Sequence, residues 1–116
     1  IGHVAFSSDQ PFHPERFCDF LCTDWPGLFR SKGYFFLADD PSIAWTWSQA
    51  GQLGESHAFG RWRENPRQEL VFIGQNLDPT AMEAALVAAQ ATEQEQLQRS
   101  QLVNPFPQPP PLSEER

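Results

Sequence analysis

Between residues 28 and 75 the chain carries three strand-patterned segments with no helix-patterned stretch between them. Residues 28–38, "LFRSKGYFFLA", form the first. Residues 43–49, "IAWTWSQ", place Trp45 and Trp47 on one face and Ala44, Thr46 and Ser48 on the other. Residues 68–75, "QELVFIGQ", make the most regular strand in the sequence. Connections of hairpin length between the middle strands favour antiparallel pairing, because a parallel return needs a crossover that is usually helical. The glycine-punctuated stretch 50–66 reads as a loop with room for a short edge strand.

The flanking segments supply helices. Val4 and Phe6 alternate within residues 3–8 as a short strand, and "DQPFHP" then breaks the backbone. Pro14 suits a first helical turn, and Phe17, Phe20, Leu21 and Trp25 follow at helical spacing. The spacing predicts an amphipathic helix over 14–25, stopped by Pro26 and Gly27. Asp78 caps a second helix whose apolar side is Met82, Ala85, Leu86 and Ala89. Thr92 and Glu95 have capping-box spacing and start a short helical piece to about residue 101. The order β-α-β-β-β-α predicts an α+β two-layer sandwich: a mostly antiparallel four-stranded sheet with helices on one face. The domain is expected over 1–103, and "NPFPQPPPLSEER" (104–116) as an extended or disordered proline-rich tail.

Composition limits the function classes. The 116 residues suffice for one core, and 40% apolar content with ten Phe and four Trp argues for a packed body. Eight basic residues against fifteen acidic ones give a net charge of −7. That charge opposes phosphate backbones and anionic lipid, so neither nucleic acid nor membrane is expected as a partner. With no long apolar run and no signal-like opening, the protein is expected to be soluble and cytoplasmic. The chain opens at Ile1 on the edge of a strand, and is read as a piece of something longer.

Few residues have the setting of a chemical site. Arg30-Ser31-Lys32-Gly33 is not a phosphate-binding loop, which needs glycines ahead of a Lys-Ser/Thr pair opening a helix. Two readings stay open: a strand entry with its polar side in water and Gly33 at a bulge, or a cationic contact that another domain or an anion completes. Cys18 and Cys22, four apart on one helix face, are badly placed for a disulfide and read as reduced thiols. With His13 they offer at most three zinc ligands where a structural site takes four, and the plainer reading, small apolar residues beside the core, is favoured. No nucleophile elbow occurs, and Asp39-Asp40 is an ordinary turn before Pro41. Trp45 and Trp47 are assigned to packing. Exposure of Trp45 or Trp62 would mark a sheet face that another body covers. The residues alone point to a non-catalytic module.

Several stretches, in order, resemble the C-terminal domain of the CobW-type GTPases, a family linked to metal insertion and zinc homeostasis. They are "PFHPERF" (11–17), "WPGLFRSKGYFFLAD" (25–39), "SQAG" (48–51), "GRW" (60–62), "RQELVFIGQNLD" (67–78) and "NPFP" (104–107). The stretch between "SQAG" and "RQEL" is shorter than is usual in the family, and no histidine-rich segment is present. The family's P-loop, magnesium ligands and Cys-x-Cys-Cys motif are absent from these 116 residues. The resemblance therefore implies a regulatory, protein-interaction domain that needs no cofactor itself. The parent would use GTP and Mg, with Zn, cobalt or another transition metal as cargo. Its implied partners are its own N-terminal GTPase domain and a metalloprotein client, with a homo-oligomer also open. Arg30, Ser31, Lys32 and Gly33, with Arg67 and Glu69, are the expected docking residues. Two rivals remain: a metal-carrying module using His13, Cys18 and Cys22, and a free-standing adaptor recruiting partners through its tail.

Overall fold

A computed structural model describes residues 2–107. In chain order the elements are β1 (Gly2–Ser8), α1 (Pro14–Cys22), β2 (Leu28–Phe35), β3 (Ile43–Ala50), β4 (Leu53–Arg61), β5 (Gln68–Gly74), α2 (Pro79–Ala89) and α3 (Glu93–Leu97). A 3-10 turn (Arg99–Gln101) follows. The strands form one sheet in the order β1-β5-β2-β3-β4, and every neighbouring pair is antiparallel. The expected α+β architecture is present.

Five strands form rather than four. The stretch read as a loop with room for a short edge strand contains β4, nine residues long and paired with β3 with one bulge at Phe59. Its sequence hid it because an edge strand with no fully buried position needs no apolar alternation. Helix α1 also ends three residues earlier than its apolar spacing suggested. Thr23 turns extended and its N–H reaches the Phe20 carbonyl, while its hydroxyl donates to the Asp19 carbonyl. Trp25 leaves the helix yet keeps its ring 5.3 Å from Phe20, so contact persists where helical periodicity does not.

The helices cover a single face of the sheet. Phe17 and Phe20 of α1 and Met82, Leu86 and Ala89 of α2 pack on Val4, Phe6, Phe35, Trp45, Leu70 and Phe72. The Phe12 and Phe17 rings stack with centroids 3.9 Å apart. Each such fully buried side chain contributes roughly 1.5–3 kcal/mol of transfer free energy, so this aromatic layer dominates the driving force. Gln68 is polar yet fully buried. Its carbonyl accepts from the Phe36 N–H and its amide donates to the Gln10 carbonyl, which ties the chain before α1 to the end of β2.

Residues 104–107 of the proline-rich segment belong to this body. Phe106 is 6% exposed and lies against Phe17, Phe35 and Trp45. The rest of the expected tail, 108–116, lies outside the described residues.

Candidate docking face

Strict alternation in β5 decides which side chains leave the core. Gln68, Leu70, Phe72 and Gly74 are buried, while Glu69, Val71 and Ile73 point the other way. Strand β2 runs beside it with Ser31 opposite Phe72, Gly33 opposite Leu70, Lys32 opposite Val71 and Tyr34 opposite Glu69. The Arg30-Ser31-Lys32-Gly33 quartet is therefore split between the two faces of the sheet.

Ser31 and Gly33 serve the fold. Ser31 is 4% exposed; its hydroxyl donates to Gln49 Oε1 at 2.7 Å and accepts from Trp47 Nε1 at 2.8 Å. The indole N–H of a half-buried tryptophan is thereby satisfied beneath the sheet. At Gly33 the β5 backbone passes so close that a Cβ would lie 2.0 Å from the Glu69 carbonyl oxygen.

Arg30 and Lys32 lie on the opposite, helix-free face, next to Ile73 and Val71. Both cations are exposed, and among the described residues neither forms an ion pair. Val71 and Ile73 are each 39% exposed between them and β1. Arg67 and Glu69 join this face through a 3.6 Å ion pair, both side chains about half exposed. Tyr34 lies opposite Glu69; burial, then that neighbouring carboxylate, raises its phenol above the ordinary pKa. The Trp62 ring closes this end, 6.0 Å from Tyr34 and 5.9 Å from Phe36. Its indole N–H is buried without a partner among the described residues. The result is a cationic end, an apolar middle and an aromatic end on one bare surface.

Four of the six expected docking residues thus share a surface. Sequence reasoning missed Tyr34, Val71 and Ile73, which period-2 counting along "KGY" and "ELVFI" places beside Lys32 and Glu69 once the β2–β5 register is known. The tryptophan indicator did not identify the face: Trp45 is 2% exposed in the core and Trp62 is half-buried.

The candidate metal ligands are not gathered. His13 caps α1, its Nδ1 accepting from the Arg16 N–H, at the far end of the helix from Cys22. Cys18 is partly buried and Cys22 exposed, both as free thiols. Burial, then the neighbouring Cys22, pushes the Cys18 thiol up, away from the thiolate a metal would need. Among the described residues no three His, Cys, Asp or Glu side chains form a ligand group. Both cysteines line a cleft of about 830 Å³ with Trp25, Trp47 and Phe106.

Residues 1–90 match the family described as the cobalamin synthesis protein cobW C-terminal domain. The chain belongs to this family. Its fold is similar to that of zinc-bound YjiA GTPase from E. coli, with a TM-score of 0.70 at 19% sequence identity. A zinc-bound triple mutant of YjiA GTPase is similar too, with a TM-score of 0.69 at 20% identity. In both cases 78% of this chain is covered but 30% of the other. At such identity the likeness is one of fold, and the chain spans less than a third of those proteins. No helix among the described residues is long and apolar enough to cross a membrane.

Proposed function

We propose that this domain is the non-catalytic, regulatory C-terminal part of a CobW-type GTP-hydrolysing metallochaperone, and that its helix-free sheet face docks onto the parent's GTPase domain. The observation that carries the reading is the position of Arg30 and Lys32, without an ion pair among the described residues of a chain of net charge −7 and set beside exposed Val71 and Ile73. Aliphatic area supplies affinity, and bare cations supply orientation toward acidic groups. Exposed ion pairs contribute only about 0–1 kcal/mol each, so the contact can be made and broken as nucleotide state changes.

Family membership and the GTPase identity of the similar structures support a parent that uses GTP and Mg. The zinc in those structures supports a transition metal as cargo for a metalloprotein client. This reading places the protein in the cytoplasm, where thiols such as Cys18 and Cys22 stay reduced. The domain's own residues bind and orient; nucleotide chemistry belongs to the GTPase domain.

The test is Arg30→Glu with Lys32→Glu, titrated calorimetrically against the parent's isolated GTPase domain. The variant should fold as the native chain does and bind at least about tenfold more weakly. Unchanged binding would remove the docking role from this face. Ser31 and Gly33 are left intact, because substituting either would confuse docking with stability.

A further inference from the structure

Strand β4 ends the sheet, and β3 is the element that packs against it. Its other edge therefore presents a row of backbone groups that no described strand pairs, an arrangement that proteins ordinarily cover, shorten or break. The strand is nine residues long, contains no proline and keeps one register with β3 from Leu53 to Ala58, with a bulge only at Phe59. Its exposed apolar side chains, Leu53 and Phe59, are 79% and 59% accessible.

The sequence of the strand says what would cover that edge. Leu53-Gly54-Glu55-Ser56-His57-Ala58-Phe59 runs apolar, small, acidic, Ser, basic, small, apolar. Reversed, the pattern is the same with acid and base exchanged. Two copies aligned antiparallel about Ser56 would set Glu55 opposite His57 of the second copy twice over. Leu53 would fall near the other copy's Phe59 at both ends, and small residues would meet small ones between. Directly opposed residues share a face in an antiparallel pair, so each of these contacts joins side chains on the same side of the sheet. Within one copy His57 Nε2 already lies 3.4 Å from Glu55 Oε1, so the pairing would extend that contact into a ring of two acids and two imidazoles.

We propose that a second copy of this chain pairs with the β4 edge, in antiparallel register centred on Ser56, to form a continuous ten-stranded sheet. A two-fold pairing uses each β4 edge once and is closed at that edge, which suits a strand with an otherwise aggregation-prone edge; the joined sheet then ends in β1 on both sides. The contact is one strand wide, so the dimer is weak, with dissociation at about tens of micromolar. It leaves the face bearing Arg30 and Lys32 free, so its success or failure is independent of the docking role of that face.

Sedimentation velocity of the 116-residue chain across the micromolar range tests the proposal. A concentration-dependent dimer is expected, with protection of β4 amides in hydrogen exchange rising alongside it. His57→Glu sets acid against acid at two symmetry-related positions and should weaken association about tenfold. Glu55→His combined with His57→Glu exchanges the partners and should restore it. A chain that stays monomeric at high micromolar concentration overturns the proposal. So does a dimer indifferent to His57→Glu, or one that the double exchange fails to rescue.

Discussion

The backbone of Gly33 on β2 lies against the Glu69 carbonyl on β5, leaving 2.0 Å between that oxygen and the place a Cβ would occupy. The φ of Gly33 is +152°, outside the range that L residues usually adopt. A side chain here would push apart two central strands whose core faces carry Leu70 and Phe35. Gly33→Ala should therefore lose about 1–3 kcal/mol, the usual range for overpacking a filled site. Gly2→Ala is the control, since nothing lies within 4 Å of its Cβ position. Equal melting temperatures for the two variants would mean that the β2–β5 contact is looser than this spacing.

Ser31 poses a different problem, because its buried hydroxyl joins two side chains at once. Ser31→Ala strips the hydrogen bond from Trp47 Nε1 and from Gln49 Oε1 together. Leaving a buried polar group unsatisfied costs about 1–3 kcal/mol. The substitution should lower stability by that amount and shift the tryptophan emission. It should not change binding to a GTPase domain, since Ser31 faces away from Arg30 and Lys32. Lost binding with unchanged stability would reverse this assignment.

These two residues also show how far the sequence was legible. Period-2 alternation gave the identity of β5 and the side of the sheet that each of its residues occupies, because one face is buried and the other is not. It could not say which half of Arg30-Ser31-Lys32-Gly33 faces the core, because all four residues are polar or small. That assignment came from the β2–β5 register, a non-local fact. Strand β4 escaped for the complementary reason: at an edge, hydrogen bonds to one neighbour suffice and side-chain burial contributes little. Phe106 escaped because proline-rich composition describes backbone preference and not where one aromatic ring docks. The helix caps were readable because they are local: Asp78 accepts from Ala81 N–H, and Thr92 and Glu95 form the expected reciprocal box.

Arg16 is a tether between helices. Its guanidinium donates to both Glu95 oxygens at 2.8 Å and to the carbonyls of Ala88 and Gln90. The Arg16 hydrogen bonds, then the Thr92 backbone, hold the Glu95 carboxyl down at about 2 from an ordinary 4.5. A carboxylate with a depressed folded pKa adds stability above its unfolded pKa and loses it as pH falls through the folded value. The contribution of Glu95 is thus complete above about pH 4.5 and declines toward pH 2. Since the pair is about a third exposed, solvent screening holds its worth to about 1 kcal/mol. Glu95→Gln should melt lower than the native chain at pH 7, with the gap closing between pH 4.5 and 2. A gap that persists at pH 2 would mean that the substitution acts through something other than charge. Arg16→Lys should not restore stability, because an ammonium cannot span the carboxylate and two carbonyls at once.

The C-terminal boundary carries the last prediction. The Asn104 amide donates to Asp39 Oδ2 at 3.1 Å, and its carbonyl accepts from the Phe106 N–H at 2.8 Å. That turn delivers the Phe106 ring to within 5.6 Å of both Phe35 and Trp45. Removing a buried phenylalanine leaves a cavity as well as losing its transfer energy, about 3–5 kcal/mol together. A chain ending at residue 103 should be less stable in urea than one ending at residue 107 by about 3 kcal/mol. Deleting everything from residue 104 to probe the proline-rich segment as a recruiter of partners would therefore unsettle the core first; the cut belongs after 107. Phe106→Leu, which refills most of the space, should recover the greater part of the difference in the longer chain. Equal urea midpoints for the two truncated chains would show that the ring adds nothing to the core.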